Sequence, residues 1–309
     1  PLIVTEKGKY FPKTLRSLDV LEVLKNELRN SGVEVKLKTP VKKIEKSEHF
    51  KVFTDNEIFE AKKLIIATGG KSYEVTGSSG DGYSFSKELG LKIVEPRPAL
   101  TPCYIKDYSY TTLAGVSFRN AILELWRDNK KLGTYEGDLL FTHKNLSGPL
   151  IIDNSRYIKK DDKLRINFSG ENLEIFEKNL RNTINNNGNK FVKNIFDNPN
   201  FFFWFIKVIL KECEISEETK CNSLKKEQIK RLIEALGNHA YEVSKLEGFN
   251  IAMVTAGGVA LEEINKNTME SKKIKDLYIV GELLDIDGDT GGYNIQGAYS
   301  TGALAAESI

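Results

Sequence analysis

No G-x-G-x-x-G occurs in these 309 residues, so the chain as it stands carries no glycine loop of the kind that seats a pyrophosphate at the start of a dinucleotide-binding βαβ unit. The nearest approach, Gly80-Asp81-Gly82, has Phe85 where the third glycine belongs. Gly69-Gly70-Lys71-Ser72 resembles the end of a triphosphate loop, but Ile65 stands where that loop needs its first glycine, which excludes an ATP site of that type. Cysteine is scarce. Cys103, Cys213 and Cys221 form no C-x-x-C pair, which speaks against a disulfide framework or a zinc centre and sets a reducing, cytoplasmic setting as the expectation. There is no H-E-x-x-H and no G-x-S-x-G. No apolar run approaches the ~20 residues of a membrane span; the longest, 201–210, is interrupted by Lys207. The N-terminal Pro1-Leu2-Ile3-Val4 turns polar without the basic and long apolar stretches of a secretory signal. A net charge of +2 gives no electrostatic reason to expect nucleic acid or an anionic membrane, and leaves a small-molecule substrate as the expected partner.

What is present alternates between strand and helix patterns. Val20, Leu21, Leu24 and Leu28 share one helical face, with Ser17 placed to cap the start and Gly32 to stop the end. Val33, Val35 and Leu37 then alternate with polar residues as in a half-buried strand. Phe50 and Val52 begin another, followed by a turn at Asp55-Asn56. Leu64-Ile65-Ile66-Ala67 is an unbroken apolar run suited to a strand buried on both faces. Residues 99–171 read as β, with alternation at 121–126 and 164–168 and a turn at Asp128-Asn129. Residues 172–247 read as mostly helical. Leu224, Ile229, Leu232, Ile233 and Leu236 form a stripe there, with a Lys/Glu-rich solvated face between them; 201–210 reads as a buried helix. Leu277-Tyr278-Ile279-Val280 is a second buried-strand run, and 298–308 closes the chain as a helix. The organisation that follows is one α/β domain split in sequence, 1–98 and 250–309, around a β-rich insert at 99–171 and a helical insert at 172–249. Its two buried strands, each ending in glycine, are expected side by side, because the ligand site of an open α/β sheet lies beyond the strand carboxyl ends.

Two motifs carry chemistry. The first strand ends in Ala67-Thr68-Gly69, small residues that let backbone pass close to a ligand. It resembles the second signature of flavoproteins with two dinucleotide-binding domains. The second strand ends in Gly281-Glu282 and is followed by Asp287-Gly288-Asp289-Thr290-Gly291-Gly292-Tyr293-Asn294-Ile295-Gln296-Gly297-Ala298. This resembles their third signature, in which the acid accepts a hydrogen bond from the ribityl chain and the glycines bring bare backbone to a flat ring. The positive end of the following helix would stabilise the negative charge of reduced flavin.

With Gly8-Lys9-Tyr10-Phe11-Pro12, Thr76-Gly77-Ser78-Ser79-Gly80-Asp81-Gly82-Tyr83, Leu140-Phe141-Thr142-His143, Leu146-Ser147-Gly148-Pro149, Thr255-Ala256-Gly257-Gly258-Val259 and Thr268-Met269-Glu270-Ser271-Lys272, the chain resembles the BaiN-like, aminoacetone oxidase-like flavoproteins over essentially its whole length. The resemblance implies a Rossmann-like FAD-binding α/β domain with a β-barrel-like insert and a helical insert. It also implies FAD lined by Ala67, Thr68 and Gly69, with Gly281 and Glu282 at the ribityl chain and Asp289, Gly291, Gly292, Tyr293, Asn294 and Ile295 around the flavin. Val41 would offer its backbone to adenine, and Tyr73 either stacks on the cofactor or belongs to the core. Gly297 departs from the family, which commonly has Trp after the glutamine. The family also opens with the βαβ unit that this chain begins after. From that, the chain as given is expected to hold FAD poorly and to be inactive by itself, with an exposed sheet edge open to self-association.

The activity implied is hydride transfer between FAD and an organic substrate: reduction of a conjugated C=C bond fed by NAD(P)H, or oxidation of an amine or aminoketone with O₂. A truncated, non-enzymatic scaffold is the reading from another class. For proton transfer the candidate is His143, because an ordinary His titrates near pH ~6.5; a hydrogen-bonded His that holds its loop is the competing reading. His49 and His239 read as surface residues, and Cys103 as a buried thiol rather than one beside the flavin.

Overall fold

Leu64–Ile66 and Leu277–Ile279, far apart in sequence, pair in parallel with Leu64 opposite Leu277 and Ile66 opposite Ile279. The computed structural model containing this pair describes residues 2–4, 8, 10–196 and 198–309. Pro1 and the Lys9 of the Gly8-to-Pro12 motif lie outside the described residues. The chain forms two units: residues 1–70, 80–95 and 257–309 in one, 71–79 and 96–256 in the other. An α/β unit interrupted in sequence by a barrel is the expected fold class.

In the α/β unit, a three-stranded antiparallel meander (Val41–Lys46, Phe50–Thr54, Ile58–Ala61) and the parallel pair pack around Phe50, Ile66, Leu277 and Ile279. Helix Asp81–Glu88 adds Tyr83 and Phe85 to that core. Three expectations fail in this unit. Residues 33–37 form no strand, and Val33, Val35 and Leu37 are 56%, 56% and 80% exposed; alternation supplies a face, but no neighbouring strand among the described residues pairs with it. Ile65 is 41% exposed, so the run 64–67 is covered on one face only. The closing helix begins at Tyr293, five residues earlier than its apolar pattern suggests. Helix Ser17–Asn30 forms, yet buries no residue.

The barrel unit closes six antiparallel strands in the order Lys130–Phe141, Leu146–Ser147, Cys103–Ile105, His239–Leu246, Lys163–Asn167, Ser117–Arg127. The hairpin turn falls at Asp128 and Asn129, with φ of 49° and 59°. Both are left-handed, as a two-residue hairpin requires, and these residue types tolerate it. Helices Leu173–Asn186, Phe203–Glu212 and Lys226–Gly237 pack on the barrel through Phe176, Phe205, Ile209, Leu232 and Leu236, sharing one core with Phe118, Phe141 and Phe168. The segment 239–246, expected to be helical, is a barrel strand. Its alternation of buried Tyr241 and Val243 with exposed Ala240 and Glu242 is the period-2 signal that the preceding helical stripe masks. His239 is consequently a half-buried wall residue rather than a surface one. Its ring lies 3.2 Å from both the Tyr110 hydroxyl and the Ala235 carbonyl and stacks on Tyr241. His49 is also half-buried.

Candidate functional site

Both strands of the parallel pair end in exposed or glycine-bearing backbone. Ala67 and Thr68 are exposed, and Gly69 turns with φ 74°. On the other strand Val280 still bonds to the Ile66 carbonyl at 3.2 Å, and Gly281 then turns with φ 69°. The start of helix Asp81–Glu88 closes on both ends: a Cβ at Gly82 would collide with Thr68 Oγ1 and lie 2.9 Å from a Leu283 methyl. That contact explains a glycine in the Gly80-Asp81-Gly82 motif that has nothing to do with a phosphate loop. Gly258 has the same cause. With φ 139°, it allows the Leu283 carbonyl to approach within 2.5 Å of where its Cβ would be.

The glycine segment leading into helix Tyr293–Glu307 is held by two polar side chains. Asn294 accepts from the Gly288 amide at 2.8 Å and donates to the Gly288 carbonyl at 2.9 Å. Thr301 Oγ1 accepts from the Gly281 amide at 2.9 Å and donates to the Gly297 carbonyl at 2.8 Å, tying the helix to the strand end. Sequence reasoning named Asn294 only as a lining residue and missed Thr301, since nothing in their spacing signals a clamp. A cavity of about 170 Å³ lies here, lined by Gly281, Glu282, Gly288, Tyr293, Asn294 and Thr301 among others.

The residues of this cradle are of the kind that would take the ring end of a flavin. The helix has Gly292 at its N-terminal boundary (φ 96°) with no side-chain cap, so no side chain there satisfies the first helical amides. A Cβ at Gly292 or Gly297 would meet nothing within 4 Å, leaving open space beside bare backbone. Tyr293 and Ile295 are 66% and 79% exposed, apolar surface of the kind a planar ring covers. The cavity is smaller than the roughly 300–1,000 Å³ of an enclosed ligand pocket, and Ala67 and Thr68 are exposed at the end of the paired strand. Asp289 and Gly291 are exposed in the same segment. Val41 begins the meander and packs on the core that the two strand ends share.

The remaining candidates belong to the barrel unit. Tyr73 has φ 55° and is 45% exposed, so it is no core residue. Its amide donates to the Phe249 carbonyl at 3.0 Å. Beside it, Thr255 Oγ1 accepts from the amides of Lys71 and Ser72 at 2.8 and 3.1 Å. His143 is exposed in a turn that Thr142 closes by accepting from the Asn145 amide at 3.1 Å. Thr111 donates to the His143 carbonyl at 3.3 Å. Cys103 is fully buried, and burial pushes its thiol up to about 12, which leaves it unreactive. Among the described residues no group of side chains could hold a metal ion, and no helix is long and apolar enough to cross a membrane.

The pattern of the HI0933-like protein Rossmann domain matches residues 1–308. The chain belongs to this family. It is 30% identical to the 3-dehydro-bile acid delta(4,6)-reductase of Clostridium scindens, over 99% of this chain and 77% of that protein. It is 28% identical to the ribosomal RNA dihydrouridine synthase of Haemophilus influenzae, over 99% and 78%. A bacillithiol disulfide reductase of Staphylococcus aureus aligns in structure over 99% of this chain and 75% of its own with 14% identity, but its TM-score of 0.29 carries no argument. Family and motifs together make the chain a flavin-dependent oxidoreductase, as its resemblance led one to expect.

Proposed function

We propose that this protein reduces a carbon–carbon double bond conjugated to a carbonyl group, with FAD as cofactor and NAD(P)H as the source of electrons. The observation that carries the proposal is the parallel pair Leu64–Ile66 and Leu277–Ile279, whose ends, with the uncapped helix at Tyr293, form a cradle open to a planar ring. The names of the two relatives support the choice of bond. A bile acid delta(4,6)-reductase and a dihydrouridine synthase differ in substrate, yet each saturates a C=C bond conjugated to a carbonyl. FAD held in this cradle would supply the hydride chemistry, delivered to the carbon β to that carbonyl.

The chain's own residues prepare that transfer. The end of helix Tyr293–Glu307 would stabilise negative charge on a reduced ring held beside it. Glu282 would hold the ribityl chain, and the Asn294 and Thr301 clamps fix the glycine backbone on which the ring would rest. His143 is the proton donor we assign, completing the reduction by protonating the α carbon. What supports this reading is its exposure on a turn whose shape Thr142 maintains.

Incubating FAD-loaded protein with NADH or NADPH and a conjugated enone tests the reaction. The expected result is loss of enone absorbance, with a product two hydrogens heavier and, in D₂O, deuterium at the α carbon. His143→Ala should lower turnover by about 10²–10⁴-fold while bound flavin is unchanged. Hydrogen peroxide formed from amines, with the enone untouched, would replace this reading by the oxidase one.

A further inference from the structure

The strands Ser117–Arg127 and Lys130–Phe141 lose register beside the flat course of the barrel wall. Ala121 faces Gly137 and Phe118 faces Leu139, so Arg119 and Asn120 together oppose Asp138. This β-bulge puts Asn120 at φ 50°, a left-handed conformation that costs on the order of 1 kcal/mol outside glycine. Specific bonds hold it there. Buried Asn200 accepts from the Arg119 amide at 3.0 Å and donates to the carbonyls of Arg119 and Phe168 at 2.7 and 3.0 Å. The Asn120 amide donates to the Asp138 carboxylate at 3.2 Å. Strain maintained by such a brace is characteristic of backbone that aims side chains at a ligand.

The bulge lines a cavity of about 960 Å³ that also takes in Phe202 and Trp204. The Arg119 guanidinium and the Asn120 carboxamide are exposed and have no partner among the described residues. Phe202 is 43% and Trp204 66% exposed. Trp204 also borders a neighbouring depression with Lys207, whose ammonium lies 5.4 Å from the indole centroid. Trp204 thus contributes to both depressions, and two-thirds of its surface remains uncovered.

We propose that this cavity is a nucleotide-binding site. A base stacks on Trp204 with Phe202 beside it, Arg119 meets a phosphate, and Asp138 with Asn120 reads the polar edge of the base. A largely apolar ligand would use the two rings but desolvate Arg119, Asn120 and Asp138 without partners, at a cost that nucleotide contacts avoid. The same chemistry is offered by an unpaired nucleotide of an RNA and by a free dinucleotide. None of these residues belongs to the flavin cradle; the dinucleotide outcome rests on the NAD(P)H of the proposed reaction, and the RNA outcome does not.

The chain has two tryptophans, Trp126 and Trp204, so Trp126→Phe makes the indole of this cavity the only one. Its emission is followed during titration with a mixed-sequence single-stranded RNA octamer, its duplex, UMP and NAD⁺. Saturable quenching is expected. Arg119→Ala should weaken it about tenfold, with a shallower salt dependence for the octamer by about one phosphate. Asn120→Gly, which relaxes the bulge without removing it, should weaken binding less. The octamer binding while NAD⁺ does not assigns the site to RNA, and the reverse assigns it to a free dinucleotide. Quenching by none of the four, or affinity equal in the parent and in Arg119→Ala with its melting temperature unchanged, overturns the proposal.

Discussion

Helix Lys226–Gly237 in the barrel unit and helix Ser17–Asn30 in the α/β unit carry the same kind of apolar stripe, with opposite outcomes. The first buries Leu232, Ile233 and Leu236; the second buries nothing, and Val20, Leu21, Leu24 and Leu28 remain 48%, 44%, 54% and 45% exposed. The units as wholes differ in the same way. The barrel unit covers the apolar stripes of its three long helices with its own core, and it holds a salt bridge of Arg127 to Asp162 that is 1% exposed on the carboxylate side. The α/β unit leaves bare one side of strand Leu64–Ile66, residues 33–37 and the start of helix Tyr293–Glu307. Periodicity therefore states that a face exists, not what covers it. In one unit the cover is core; at the glycine segment of the other it is the surface we assign to a flavin.

The sharpest way to break this contrast is at Arg127. Its Nε and Nη2 each lie 2.7 Å from an oxygen of Asp162, whose carboxylate also accepts from the Lys159 amide at 2.7 Å. Arg127→Ala would strand a buried carboxylate and should cost the barrel unit about 3–5 kcal/mol, read by urea unfolding with tryptophan emission, since Trp126 and Trp204 both lie in that unit. Leu236→Ala, at a fully buried position, should cost about 2–5 kcal/mol in the same measurement. A loss below 1 kcal/mol from either change would mean that the barrel core tolerates gaps.

A smaller effect separates the wall of the barrel from its surface. Burial lowers the pKa of His239, against weaker opposing effects from Glu212, the Ala235 carbonyl and Glu234. Below pH ~6.5 the unfolded chain takes up a proton that the native ring resists, so stability should fall as pH drops from there toward the lowered native value. The slope is at most about 1.4 kcal/mol per pH unit. His239→Gln should flatten that slope, and an unchanged profile would remove His239 as its origin. At the bare helix the expected cost is smallest: Leu24→Glu should change stability by no more than about 0.5 kcal/mol. We expect the uncovered faces of this unit, including the edge of strand Leu64–Ile66, to give concentration-dependent self-association, which Leu24→Glu should weaken in sedimentation velocity.

How much of this was legible depends on where each signal resides. The runs at 64–67 and 277–280 could be read as paired strands because β-rich apolar segments ending in glycine have few alternative uses, and the pairing is as expected. Strand His239–Leu246 was hidden because its alternation follows directly on a strong helical stripe, and its pairing with Lys163–Asn167 is non-local. Val33, Val35 and Leu37 misled for the converse reason: local alternation was present, but the neighbour that would make it a strand is not among the described residues. At the site, Gly281 and Glu282 stood out by motif. Thr301 and Asn294 act through side-chain bonds to glycine backbone, which no spacing rule encodes. The bulge at Arg119 and Asn120 is likewise visible only once the two strands are laid in register.

The central claim is that the ends of Leu64–Ile66 and Leu277–Ile279, with the helix at Tyr293, hold a flavin. Titrating the 309-residue chain with FAD, following the quenching of flavin fluorescence, tests it most directly. The account predicts weak but saturable binding through the ring end. Glu282→Ala should weaken that binding by about 1.5–3 kcal/mol, roughly ten- to 150-fold, and Arg119→Ala should leave it alone. No saturable quenching, or equal affinity for the parent and Glu282→Ala, would contradict it.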